Sequence, residues 1–288
     1  MKIDRLCCAI AESCGVLMYC NTFSPEKIKI STSCEDFAER LPKLFRKAFG
    51  VEFDVLPPET AKGRRNFLIT EKTKIAGIYE TFGLDMQAAV ALHVNFALLE
   101  EECCRISFIR GAFLAGGSVT DPEKGYHLEL STSHISAARE TCSILQENGF
   151  QPGESSRAGN TLLYFKQSDT IADLLTAIGA PVTAMGMLTA KVDREMRNKV
   201  TRQINCDSAN VDRTIATAKE QIDAIKRFSV RYGLDALPEP LKDAALLRIT
   251  NPESSLSDLA RISFPKISKS CLSYRLKKIM TLVPEEEK

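Results

Sequence analysis

Arg110-Gly111-Ala112-Phe113-Leu114-Ala115-Gly116-Gly117-Ser118 decides how this chain folds. Cys104, Phe108, Ala112, Phe113 and Ala115 recur near a 3.6-residue period, so the stretch closes a helix that Gly116-Gly117 terminates. Gly111 and Ala115 lie four apart and leave one face of that helix without bulk. The chain carries this helix twice. Gly15 precedes Gly111 by 96 residues, and Cys7-Cys8 precedes Cys103-Cys104 by the same 96. Ala11 and Gly15 supply the matching small residues of the earlier copy.

The correspondence extends well beyond the helix. Ile30-Ser31-Thr32-Ser33 returns as Leu130-Ser131-Thr132-Ser133, and Lys74-Ile75 through Phe82-Gly83 returns as Thr170-Ile171 through Ile178-Gly179. The offset slips from 96 to 100 and back, as loop-length differences make it do between two copies of one module. The first copy predicts helix 4–20, strand 27–32, helix 35–48, strands 51–56 and 65–70, and helix 72–82. The second predicts a helix ending at Gly116-Gly117, a strand at Tyr126–Ser131, a helix from Ser136 to Glu147, a strand at Thr161–Phe165 and a helix at Thr170–Ile178. Helices and hairpin strands in this order give an α+β unit with antiparallel sheets. Two copies imply a pseudo-twofold, which suits a pseudo-twofold partner such as duplex DNA.

Composition sets the outer limits. At 288 residues, 44% hydrophobic and 26% charged, the chain has the make-up of a soluble globular protein. No stretch approaches the roughly 18 apolar residues of a membrane helix, and the first residues lack a signal-peptide pattern. A cytoplasmic location with no membrane partner follows as the expectation. The ten cysteines contain no Cys-x-x-Cys pair, so plain packing is the expected role of Cys7, Cys8, Cys14, Cys103, Cys104 and Cys142. The minor alternative is that the two Cys-Cys pairs meet across the twofold and bind a metal. His93, His127 and His134 fall at no ligand spacing, and neither a phosphate-binding glycine loop nor a catalytic constellation stands out. The expectation is therefore no catalytic residue, no cofactor and no metal.

Charge is unevenly spread under the net +1. Residues 1–100 balance, residues 101–190 carry −4 and residues 191–288 carry +5, with six basic residues and one acidic residue between Ser255 and Met280. After Pro181 the pattern changes, and two helical segments are predicted from about Met187 to Tyr232, broken at Asn205-Cys206-Asp207 with Asp207 or Ser208 as N-cap. Arg194, Arg197, Lys199 and Arg202 crowd the first segment as solvated residues or extra phosphate contacts. Val211, Ile215, Ala218, Ile222, Ile225 and Phe228 stripe the second.

Pro238 and Pro240 mark a boundary, and three short helices follow. Leu241–Arg248 is the first. The second runs from a capping box at Ser255-Leu256-Ser257-Asp258 to Ile262, and Pro265 in the following turn cannot continue it. The third runs from Ser268 to Met280. Leu256, Leu259, Ala260, Ile267, Leu272, Leu276 and Ile279 can form the core of a helix-turn-helix. Its last helix then presents Lys269, Ser270 and Ser273 toward base edges, with Tyr274 on the same outward side, and Arg275, Lys277 and Lys278 toward phosphates.

The stretch ending at Ser118 resembles the LAGLIDADG helix of homing endonucleases, in which two such helices pair along a pseudo-twofold. Those enzymes hold divalent cations on an acidic residue at each helix end. Gly116 and Cys20 stand at those positions here, so the resemblance implies a scaffold without the nuclease site. Arg202-Gln203-Ile204-Asn205-Cys206-Asp207-Ser208-Ala209-Asn210, Ser255 through Leu259, Ser268-Lys269-Ser270 and Tyr274 through Ile279 resemble the WhiA family, which joins a degenerate LAGLIDADG domain to a C-terminal helix-turn-helix.

The fold expected is thus a duplicated pseudo-twofold LAGLIDADG-like domain, 1–95 and 96–188, then a helical linker, 189–236, and an all-α helix-turn-helix domain, 237–288. The resemblance implies a non-enzymatic, nucleoid-associated regulator of transcription in sporulation, cell division and chromosome segregation. Its expected partners are double-stranded DNA and another transcription or cell-division protein. A protein-interaction adaptor is the alternative, followed by an active nuclease drawing acids from Asp121 or Glu12.

Overall fold

The computed structural model describes residues 3–58, 63–87 and 92–282. It divides into two units, Met1–Arg194 and Glu195–Lys288.

The first unit repeats one succession of elements. Helix α1 (Leu6–Tyr19) leads to strands β1 (Thr22–Ser24) and β2 (Lys27–Thr32), helix α2 (Glu35–Phe49), strand β3 (Arg65–Ile69) and helix α3 (Lys72–Phe82). Then α4 (Glu102–Gly116) leads to β4 (Gly117–Val119), β5 (Leu128–Thr132), α5 (Ile135–Glu147), β6 (Gly153–Arg157), β7 (Asn160–Phe165) and α6 (Ser168–Ala177). Each copy builds its own antiparallel sheet, ordered β1-β2-β3 and β4-β5-β7-β6. Equivalent registers pair Thr32 with Arg65 and Thr132 with Thr161. Ile28, Ile30, Phe67 and Ile69 bury one face of the first sheet; Leu128, Leu130, Leu163 and Phe165 bury one face of the second. This alternation is what a sheet with one covered face requires.

Helices α1 and α4 pack together at the centre. A Cβ at Gly15 would stand 2.1 Å from the Phe108 carbonyl oxygen, and one at Gly111 would stand 2.0 Å from the Glu12 carbonyl oxygen. Only glycine permits this approach. Thr132 Oγ1 ties the copies further by donating to the Met18 carbonyl at 2.8 Å.

Two expectations need correction, and three short strands add to the predicted elements. The predicted strand at 51–56 has no register of its own: Asp54 and Val55 both donate to the Leu68 carbonyl, leaving one isolated bridge, and Pro57 cannot donate to a continuing ladder. The short strands β1, β4 and β6 went unread because three residues, or a polar Gly-Glu-Ser-Ser-Arg run, carry no apolar alternation. Finally, α7 runs unbroken from Pro181 to Tyr232 over 52 residues. Asn205 and Asp207 are caps by habit, but each costs an interior helix well under 1 kcal/mol, and no glycine or proline stands nearby to break it. Asp207 and Ser208 are therefore interior positions rather than N-caps.

Candidate nucleic-acid interface

The second unit closes with three helices, α8 (Glu239–Thr250), α9 (Leu256–Ile262) and α10 (Lys269–Leu282). Pro240 sits in the first turn of α8, where its missing N–H costs nothing. Ser255 caps α9: its Oγ accepts from the Asp258 N–H at 3.2 Å and donates to Asp258 Oδ2 at 2.7 Å. Ser263 and Pro265 stop α9, and Ser268 Oγ opens α10 by accepting from the Cys271 N–H at 3.2 Å. Leu259, Ala260, Leu272, Leu276 and Ile279 are buried with Leu241, Ala244 and Ala245 of α8 and Ile225 and Phe228 of α7; Leu256 and Ile267 are partly buried against them.

That core fixes which face of α10 is free. Lys269, Ser270, Tyr274, Lys277 and Lys278 are exposed, and Ser273 is half-buried. Residues 269, 273 and 277 form one row of a helix and 270, 274 and 278 the adjacent row, so the six share a face. Lys278 Nζ lies 5.9 Å from the Tyr274 ring centroid, one turn away.

Arg275, expected among the phosphate ligands, also reaches a neighbouring helix. It is half-buried, and its guanidinium donates to the Pro240 carbonyl at 3.3 Å, which turns it toward the start of α8. Arg194, expected on a basic helix face, donates to the Glu123 carbonyl at 2.6 Å and lies over the Tyr126 ring.

Sequence reading missed the residue that supports this face. Arg248 is 1% exposed, the bulkiest side chain so enclosed. Its Nε donates to Gln221 Oε1 at 3.0 Å and its Nη1 to the Ser254 carbonyl at 2.7 Å, just before the α9 cap. Burial holds the Arg248 guanidinium pKa below its usual value. An arginine at the end of a short helix reads as solvated, so nothing in the sequence signals its burial. Arg213 was also missed; it lines one cleft with Ser257 and Lys269, bringing a cation from α7 to the start of α10.

In the first unit the ends of α1 and α4 do not suit a hard divalent cation. Gly116 offers no ligand, and a Cβ there would stand 2.5 Å from the Ser131 carbonyl oxygen and 2.9 Å from the Tyr19 ring. Cys20 Sγ donates to the Leu17 and Thr22 carbonyls at 3.3 Å, and desolvation pushes its thiol up to about 12. Such cations need oxygen ligands. Of the substitute acids, Glu12 is enclosed by Arg40 at 2.5 Å and Arg110 at 3.2 Å, while Asp121 accepts from the Glu123 N–H in its own turn.

A duplicated α+β scaffold built on paired helices, joined to a helix-turn-helix unit, defines the class of this protein. Residues 105–197 match the model of the WhiA LAGLIDADG-like domain and residues 200–283 that of the WhiA C-terminal helix-turn-helix domain. The probable cell division protein WhiA of Ruminiclostridium cellulolyticum is 34% identical over 287 residues, covering 97% of this chain and 92% of that protein. The protein of the same name from Clostridium botulinum is 30% identical over 285 residues, covering 96% and 90%. The chain belongs to the WhiA family. The crystal structure of full-length WhiA from Thermatoga maritima has the same fold, with a TM-score of 0.58 at 24% identity over 98% of this chain and 93% of that one. No described helix is long and apolar enough to cross a membrane.

Proposed function

We propose that this chain is a non-enzymatic protein that binds double-stranded DNA through α10 and acts as a transcriptional regulator in cell division and chromosome segregation. The observation that carries the reading is the division of α10 into two faces. Leu272, Leu276 and Ile279 are buried, while Lys269, Ser270, Tyr274, Lys277 and Lys278 are exposed on the opposite side. A helix held this way can lie in a major groove, with Lys269, Ser270 and Ser273 at base edges and Lys277 and Lys278 at phosphates. Arg275 contributes by holding α10 to α8 rather than by touching phosphate. The printed name of the relatives supports the cell-division setting. The absence of an oxygen ligand at Gly116 and Cys20 supports a role without strand cleavage.

Fluorescence anisotropy of the full chain on duplex DNA across a salt series tests this. Binding that weakens with salt, and a Lys277→Ala/Lys278→Ala variant with a slope shallower by about 0.9 per lost phosphate contact, are expected. Equal affinity and slope in wild type and variant would overturn the assignment of α10 and favour the protein-docking alternative. Mg²⁺-dependent nicking by the purified chain would overturn the non-enzymatic reading.

A further inference from the structure

Four thiols meet where the two central helices begin. Cys7 and Cys8 are the second and third residues of α1, and Cys103 and Cys104 are the second and third residues of α4. Cys104 is buried, Cys8 and Cys103 are half-buried and Cys7 is exposed, with all four unbridged. Their sulfurs all lie within 4.8 Å of one another. Cys103 Sγ is 4.0 Å from Cys104 Sγ, and Arg5 Nη1 is 3.7 Å from Cys103 Sγ.

We propose that Cys7, Cys8, Cys103 and Cys104 form a structural site for one thiophilic divalent cation of the zinc class, which staples the N-terminal ends of α1 and α4. The dimensions fit a single ion. Metal–sulfur bonds of about 2.3 Å in a tetrahedron set the sulfurs about 3.8 Å apart, so a modest contraction of the cluster closes the shell. An iron–sulfur cluster would divide the four thiolates among two or four irons and needs a wider spread. Four sulfur ligands select a soft or borderline ion over Mg²⁺ or Ca²⁺. With every ligand supplied by protein, no position stays open for substrate, which marks the site as structural.

Charge and symmetry agree. Binding replaces four S–H protons by one divalent ion, releases four protons and leaves the complex with two net negative charges. Two helix N-termini face that charge, and the Arg5 guanidinium stands beside it. Neither N-cap residue, Arg5 or Glu101, closes its helix with a side-chain hydrogen bond. Cys7 corresponds to Cys103 and Cys8 to Cys104 across the 96-residue repeat. A tetrahedron contains a twofold axis, so two copies with two ligands each can build one site on the pseudo-twofold. Neither copy can hold the ion alone.

The proposal is independent of the DNA-binding reading and is tested on the full chain. Protein purified under reducing conditions without chelator is analysed for metal, then stripped and titrated with Co²⁺. About one zinc per chain is expected, with thiolate-to-cobalt charge-transfer absorption and the intense d–d bands of a tetrahedral site. Cys7→Ser and Cys103→Ser should each lower the metal content at least tenfold while keeping the far-ultraviolet circular dichroism of the wild type. Cys34→Ser and Cys206→Ser, exposed thiols outside the cluster, should retain it. Zinc should raise the melting temperature of wild type but not of Cys103→Ser. Reduced protein that takes up neither ion, uptake that survives both ligand variants, or a Cys8–Cys103 disulfide forming in preference to metal binding would each overturn the site.

Discussion

Gly15 and Gly111 meet as reciprocal contacts, each in the position where a Cβ would strike the other helix: 2.1 Å from the Phe108 carbonyl for Gly15 and 2.0 Å from the Glu12 carbonyl for Gly111. The two copies are joined by backbone approach, and their helices cannot separate without exposing Cys14, Phe108, Ile109 and Ala112, all buried. The obstructing atoms are backbone, so no rotamer change can relieve them. Gly111→Ala and Gly15→Ala should therefore each destabilise the first unit by about 1–3 kcal/mol or more. Urea unfolding read by near-ultraviolet circular dichroism checks this; unchanged midpoints would refute the tight crossing.

Glu12 is 1% exposed and held between Arg40 and Arg110. Removing its charge takes from two guanidinium groups near the core the carboxylate they share, so Glu12→Gln should cost about 3–5 kcal/mol. A joint replacement of the carboxylate and both arginines by apolar residues of similar volume should cost less than the single change, because no buried charge is then left over. The comparison of unfolding midpoints decides it.

Asp54 gives the first unit a specific acid sensitivity. Its carboxylate accepts from Lys74, from the Thr70 N–H at 2.6 Å and from the Glu71 N–H at 2.8 Å, just ahead of α3. The Lys74 ammonium, helped by these backbone donors, holds the Asp54 pKa down to about 2, from an ordinary 3.8. A carboxylate with a depressed folded value contributes stability above its unfolded pKa and loses it as pH falls toward the folded one. The contribution should be complete above about pH 5 and should fade between about 3.8 and 2. Asp54→Asn should lower the melting temperature at pH 7 and bring the two melting curves together near pH 2. A constant gap across that range would refute the assignment.

Arg248 should matter for DNA binding without touching DNA. Arg248→Leu leaves Gln221 Oε1 and the Ser254 carbonyl without their donor, a loss of about 1–3 kcal/mol. Lysine has one point of attachment where the guanidinium has a fork, so Arg248→Lys should recover only part of it. The expected outcome is a lower melting temperature of the second unit, with DNA affinity that returns below that melting point. Affinity lost with an unchanged melting curve would mean direct contact instead.

Ser255→Ala removes the α9 cap and should destabilise the second unit by about 1 kcal/mol. Ser255→Asp should restore most of that, since its carboxylate can accept the same Asp258 N–H but faces the Asp258 charge. Thermal melts of the three proteins give the order.

Repetition and periodicity carried most of the fold. A shared 96-residue offset is a property of sequence, so the duplication and the order of the β2, α2, β3 and α3 elements and their counterparts could be read from it, while the pairing of α1 with α4 was implied by the LAGLIDADG resemblance. Capping chemistry is local in the same way, which is why Ser255 and the free face bearing Lys269, Tyr274 and Lys277 were legible too. Elements whose existence depends on a distant neighbour were not. β1 and β4 are strands only because β2 and β5 lie beside them, and α7 continues through Asn205-Cys206-Asp207 because a small local preference does not overcome a long helical run. The enclosure of Arg248 and Glu12, the turning of Arg275 to Pro240, and the convergence of four thiols belong wholly to tertiary structure. Residue type announces what a side chain can do, but burial and partners come from chain segments far away, and only packing brings those together.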